Sequence, residues 1–320
     1  MNLDVVTVGK AGFDIFLSGK ELKPGLVSRD DMLNLQNNHS YDAEHSVYEI
    51  GGSAINSAIT FARQGIKTGC IARTGKDYLA SQIKAVIKRE TISAELLVNI
   101  PEHHTDLDVH IVTERANEIV ISYQNSNDSL RAKDLKFPDL YARLLYIAEV
   151  PNDFKAFKYL AELAKISGAE IWANLNDLKF YKRKQLNYVL SNLTGLMMPI
   201  HFATRLFNDV TDEREIIRQV LAFGPKSVLL YDVYNEAYAS VDKAFYQSGT
   251  YKNINPLDKT GSEDVFAAAF AAGIFQGKSV TEALTLASAN ACSVLEVFGA
   301  RSGILKKPAI RPMNIIIGEI

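Results

Sequence analysis

A chain of 320 residues is long enough for one large α/β domain or two smaller ones. With 47% hydrophobic and 22% charged residues its composition is ordinary for a globular protein, and a net charge of −2 lacks the basic excess of a nucleic-acid binder. Only Cys70 and Cys292 occur, without His or Cys neighbours at metal spacing, so neither a disulfide framework nor a zinc site is expected.

The opening MNLDVVTVGKAG carries an early acid and no apolar core behind a positive charge, so no signal peptide is expected. No run of about eighteen apolar residues predicts a membrane span, and a cytoplasmic setting follows as the expectation. Residues 3–8 read as a buried first strand ending at Gly9, and residues 13–17 place Asp14 among hydrophobes, where an alternating strand could also turn it to solvent. Residues 47–50 lead into Gly51-Gly52-Ser53-Ala54-Ile55-Asn56, and the helical spacing of Ile55, Ala58, Ile59 and Ala62 ends at Gly65. Asn56 in the first turn could present its amide to a ligand, or the glycines could be a plain strand-to-helix turn. A strand over 68–72 and a helix to about Arg89 come next.

The residues in 96–100, 108–112 and 118–123 alternate in short segments and predict an antiparallel patch. From 144 onward strands (144–148, 170–173, 195–199, 227–231) alternate with helices (154–167, 182–191, 213–223), which predicts a doubly wound, mainly parallel sheet. Lys182-Arg183-Lys184 reads as a solvated helix face. With no internal repeat and no low-complexity linker, the expected plan is a single α/β domain over 1–320 with an antiparallel insertion. The polar run from Asn255 to Ser262 opens an apolar helix whose uncapped start would attract anions, with Asp264 in its first turn. Ser262 or Asp264 could equally be a helix cap. In such sheets ligands sit beyond the carboxyl ends of the strands, where Asp14, Asn56, Glu149 and Asp264 converge.

The stretch from Gly51 to Ala58 resembles the GG…N signature of the ribokinase-like (PfkB) sugar-kinase family, and Asp258-Lys259-Thr260-Gly261-Ser262-Glu263-Asp264 resembles its DTTGAGD signature. Residues 123–127, with Ser126 and Asn127, resemble the end of its lid, and Phe298-Gly299-Ala300 its glycine-alanine near the nucleotide and cation sites. The resemblance implies a three-layer α/β/α fold with a small antiparallel β lid built from parts of 12–50 and 96–125. It implies phosphoryl transfer from ATP to a hydroxyl of a sugar or nucleoside, with Mg²⁺ and a monovalent cation as cofactors. Asp14, Gly51, Gly52, Asn56 and Glu149 match substrate-binding positions. Asp264 matches the general base, the amides of Gly261, Ser262, Glu263 and Asp264 the anion hole, and Thr260, Gly261, Gly299 and Ala300 the nucleotide side. Lids in this family pair between subunits, which implies a homodimer.

Three departures accompany the match. Glu263 stands where the family has glycine, and a carboxylate beside an anion hole opposes phosphate unless it points away or meets a cation. Ile200 and Ala203 fall within the segment where Asn-x-x-Glu is expected, and Val233 and Glu236 replace the glycines of the nucleotide loop. Glu263, or Asp232 in the altered loop, is placed to supply the lost acidic group. The alternative is a sugar- or nucleoside-binding pseudokinase with an eroded ATP site. Glu149 with Asp14 and Asn56, and no Lys or Arg at the substrate turns, leans toward a neutral polyol over a sugar phosphate, although Arg115 of the lid could supply a cation.

Overall fold

The computed structural model describes residues 2–22, 35–112, 118–125, 130–137, 140–176, 181–208, 210–250, 254, 256–306 and 315–319. Arg115, Ser126, Asn127, Asn255 and the 23–34 part of the expected lid lie outside them. The chain begins with β1 (Asn2–Val8), β2 (Gly12–Ser18), β3 (His45–Gly51), α1 (Ser53–Arg63), β4 (Thr68–Ile71), β5 (Arg73–Thr74) and α2 (Tyr78–Arg89). Next come β6 (Val98–Asn99), β7 (Asp106–Val112), β8 (Glu118–Tyr123), β9 (Tyr141–Ile147), α3 (Phe154–Ser167), β10 (Glu170–Asn174), α4 (Arg183–Ser191) and β11 (Gly195–Pro199). The remainder is α5 (Ile200–Leu206), α6 (Glu213–Phe223), β12 (Ser227–Asp232), β13 (Glu236–Val241), β14 (Ala244–Gly249), α7 (Ser262–Phe275), α8 (Val280–Leu295), α9 (Ala300–Gly303) and β15 (Ile315–Glu319).

Nine strands form the main sheet in the order β15-β14-β13-β12-β11-β10-β9-β1-β4. The run from β12 to β4 is parallel, as its uninterrupted Val, Leu and Ile content requires of strands buried on both faces. Helices α3 to α6 bury one face, and α1, α7 and α8 the other. This is the expected ribokinase-like architecture. The sequence reading stopped at the parallel strands and missed β13, β14 and β15, which extend one edge antiparallel.

The second sheet has the order β3-β2-β7-β8. It differs from the expected antiparallel patch in two ways. β2 and β7 run parallel, because the chain passes through α1, β4 and α2 between them. The segment at 96–100 stays outside: its strand β6 pairs in parallel with β5, since Val98 and Ile100 donate their N–H groups to Ala72 and Thr74. Register places Glu49, Asp14, Asp108 and Ser122 in one row across this sheet, on one face, because side chains at paired positions share a face.

Helix α7 sets where the chemistry stands. Its run of alanines lets it lie flat between the main sheet and α8, and a Cβ on Gly273 would come within 2.8 Å of the Ala283 Cβ. Phe266 and Phe270 are buried completely, contributing about 1.5–3 kcal/mol each. Helix α8 is started by a capping box between Ser279 and Glu282. Packed from below by these contacts, the first turn of α7 is held at the carboxyl end of the sheet.

Candidate active site

Gly261 ends the approach to α7 in the left-handed region at φ 71°, and no side chain caps the helix. Ser262, read as a possible cap, instead donates its hydroxyl to the Lys259 carbonyl. The loop before it is organised by the buried carboxylate of Asp258, which accepts from the Thr260 N–H (2.9 Å), the Thr260 hydroxyl (2.8 Å) and the Gly299 N–H (2.8 Å). A Cβ on Gly261 would lie 2.6 Å from both the Ala300 Cβ and the Asn56 Nδ2. Glycine is therefore required there twice, by dihedral and by space. The Ser262 N–H, expected in the anion hole, donates to the Lys259 carbonyl at 3.2 Å instead, which leaves the N–H groups of Gly261, Glu263 and Asp264 at the helix start for an anion.

Asp264 does not cap the helix either. Its carboxylate accepts a hydrogen bond from Asn56 Nδ2 at 3.2 Å, joining two signatures 208 residues apart. Burial pushes the Asp264 carboxyl up to about 7; Asn56 works against the rise, the negative charges of Glu149 and Glu263 add to it, and Lys10 opposes it. A buried carboxyl poised near neutrality is suited to accept a proton.

Glu149 follows β9 and is held by Lys10 Nζ at 3.0 Å and by the Ser53 hydroxyl at 3.3 Å. Lys10 follows β1 and corrects the reading that no cation faces the substrate turns. Burial disfavours its charge, but Glu149, Asp106 and Asp108 outweigh that and its pKa is raised. No motif marks a lysine after a first strand, so only the fold brings it here. Gly52 lies at φ 96°, and a Cβ would strike the Lys10 carbonyl at 2.6 Å; a Cβ on Gly51 would overlap Asp14. The paired glycines thus let β3 and α1 close against Asp14 and the Lys10 backbone.

Asp14 is 7% exposed and does not turn to solvent. Burial raises its pKa, an effect His110 only partly offsets. His110 Nε2 is 3.7 Å from Asp14 Oδ1, and its Nδ1 meets Glu118 Oε2 at 2.7 Å. Although burial opposes its charge, these two carboxylates raise the imidazole to about 10, and the ring stacks on Phe16 at 4.4 Å. Glu49, in the same row, is satisfied by Arg301 at 2.6 and 3.0 Å and by Ser302.

On the nucleotide side, Ile200 and Ala203 lie in α5, and Val233 to Asn235 form a tight turn between β12 and β13. Asp232 pins that turn by accepting from the Tyr234 N–H and Asn235 Nδ2, so no glycine-rich loop exists. Glu263 has a raised pKa from burial, with His201 opposing and Asp232 adding to the shift. Among the described residues these groups form no tight donor triad. The set whose donor atoms lie within 4.8 Å of one another is Asp14, Asp108 and His110.

A family model for the pfkB family carbohydrate kinases matches residues 25–307. The chain is similar to the ribokinase of Bacillus subtilis, 24% identical over 79% of this chain and 84% of the relative. Among solved structures it resembles the Methanocaldococcus jannaschii nucleoside kinase, at 18% identity over 95% of both chains with a TM-score of 0.77. It also resembles an E. coli protein described as a ribokinase II and solved with ATP and Mg²⁺, at 17% identity, covering 94% and 96% of the two chains, with a TM-score of 0.76.

Proposed function

Because this chain belongs to the pfkB family of carbohydrate kinases, we propose that it transfers a phosphoryl group from ATP to a hydroxyl of a sugar or nucleoside, with Asp264 as general base. The observation that carries the reading is the Asn56–Asp264 hydrogen bond beside an uncapped helix start. Asp264 takes the proton of the acceptor hydroxyl, the oxygen attacks the terminal phosphorus, and the bond to the bridging oxygen breaks to release ADP. Charge on the transferring group is met by the backbone N–H groups of Gly261, Glu263 and Asp264, and positioning by Asp14, Asn56 and Glu149. Lys10, fastened to Glu149 at 3.0 Å, orients that carboxylate.

The glycine cradle at Gly261, backed by Ala300 and tied through Gly299 to Asp258, fits a phosphate. Bound Mg²⁺ would neutralise phosphate charge, held largely by phosphate oxygens and water. Glu263 and Asp232 are the carboxylates of this chain that fit it, and they stand in for the missing Asn-x-x-Glu. The pseudokinase alternative draws no support from the comparisons, in which the relatives are named as kinases.

The β3-β2-β7-β8 sheet acts as the lid in this reading. Its far face carries Tyr48, Ile15, Val109 and Ile121 in one row, with Tyr48 61% and Ile121 57% exposed, and a second copy would cover them, making a homodimer. The test of function is ADP release with a panel of sugars and nucleosides, in the wild type and in Asp264→Asn. Transfer that survives the substitution at full rate rejects Asp264 as the base, and no transfer to any acceptor rejects the kinase.

A further inference from the structure

The row Glu49–Asp14–Asp108–Ser122 sets three carboxylates side by side on the lid face that meets the active site. Like charges directly opposite one another in a sheet are destabilising unless something compensates them. Glu49 has Arg301, and Asp14 shares His110 with Glu118. Asp108 is different. Its Oδ1 is completely buried and, among the described residues, accepts no hydrogen bond. His110 Nε2 likewise has no hydrogen-bond partner among them, in a side chain only 5% exposed.

Asp14, Asp106, Asp108, Lys10 and Gln124 line one small cleft with Gly52. Asp14, Asp106 and Asp108, with Glu118 and Glu149 behind them, therefore face two cations: Lys10, 3.0 Å from Glu149, and His110, set between Asp14 and Glu118. Asp106 accepts from the Asn125 N–H. The excess negative charge centres on Asp14 and Asp108.

We propose that the acceptor is cationic: an amino sugar, or an amino-substituted nucleoside, whose ammonium group bridges Asp14 and Asp108. This rests on the kinase reading of the same site. An oxygen of each aspartate and a ring nitrogen of His110 lie within 4.8 Å of one another. A nitrogen about 2.8 Å from both oxygens fits that span, the ordinary length of a charge-assisted hydrogen bond. The 3.7 Å gap between His110 Nε2 and Asp14 is too long for a direct hydrogen bond and fits a bridging hydroxyl oxygen, accepting from the ring and donating to the carboxylate. An ammonium beside a hydroxyl, the pattern of a 2-amino sugar, meets both the Asp108 oxygen and the His110 nitrogen that stand open. The same charge pattern repels sugar phosphates, which refines the neutral-polyol expectation from the sequence. A resident divalent ion is the competing occupant of the same three donor groups, and metal titration of the protein distinguishes it.

Calorimetry on the full chain with matched pairs tests the idea: glucosamine against glucose, galactosamine against galactose, and 3′-amino-3′-deoxyadenosine against adenosine, with N-acetylglucosamine as a neutral control. The amine of at least one pair should bind about tenfold or more tighter, the scale of one charge-assisted hydrogen bond. Asp108→Asn should bring that ratio toward one and leave Tm the same or higher, since a like-charge contact is removed. Equal or weaker binding of every amine, or no binding in any pair, overturns the proposal. So does a ratio that persists in Asp108→Asn, or a fall in Tm that marks Asp108 as a fold-stabilising residue. Binding of Mg²⁺ or Zn²⁺ by the protein alone, lost in Asp108→Asn with no amine preference, reassigns the site to a metal. Measured separately, transfer to neutral acceptors without amine preference rejects this inference and keeps the kinase, whereas amine binding with no transfer to any acceptor rejects the kinase.

Discussion

At the scale of single residues, Asp264 carries a cost that identifies its work. A base must be unprotonated, so kcat/KM should climb with pH and level off above about 7, the pKa to which burial lifts this carboxyl. Asn56→Leu removes the N–H that favours the ionised form and should move that limb to higher pH; a pH–rate profile unchanged in this variant refutes the coupling. The sign for stability is opposite to that of a salt-bridged acid. The folded pKa exceeds the unfolded value of about 3.9, so ionisation costs stability increasingly between those values and fully above about 7. Asp264→Asn should therefore raise Tm at pH 8 but not at pH 3.5, while lowering turnover by about 10²–10⁴. Both Asp264 and Asn56 were legible in the sequence because each sits in a signature. Lys10 and His110 were not, since an isolated Lys after a strand or a His inside one carries no local sign of its partner.

The elements add constraints that no residue shows alone. The loop into α7 works because Gly261 adopts a left-handed dihedral against Asn56 and Ala300. Gly261→Ala should destabilise by about 1–3 kcal/mol in a denaturant titration and reduce transfer, as the cradle is pushed open. Glu263 is the departure with two opposite readings. If it serves the cation that accompanies ATP, Glu263→Gln should raise the Mg²⁺ concentration for half-maximal rate several-fold; tighter ATP binding in that variant would show instead that the carboxylate only repels phosphate. The short apolar segment at 96–100 shows why sequence failed for the lid. Its alternation is the same whether it joins β7 or β5, and only the hydrogen bonds to Ala72 and Thr74 assign it. The β12–β13 turn is similar: a motif lacking its glycines gave no turn signal, and Asp232 makes the turn with its side chain.

For the whole molecule, the exposed apolar row of Tyr48 and Ile121 predicts a dimer by light scattering, and Tyr48→Asp with Ile121→Glu should give monomers that keep their secondary structure by circular dichroism. A wild-type monomer at working concentration would remove the lid-pairing proposal. No helix among the described residues is long and apolar enough to cross a membrane.

What the sequence determined by itself was the alternation of strands and helices, the two glycine-containing signatures and the acids within them. Those properties are local: buried parallel strands need unbroken apolar runs, and a left-handed helix start needs glycine. What only the tertiary structure decided was which charges meet. The Asp14–Asp108 row, the clasp of Lys10 on Glu149 and the hold of Asn56 on Asp264 join positions 94 to 208 residues apart, brought within a few ångströms by sheet register and helix packing. Composition and periodicity set which face of an element is buried, but the register between elements is fixed by packing over the whole core, and the charge carried by the acceptor site depends on that register.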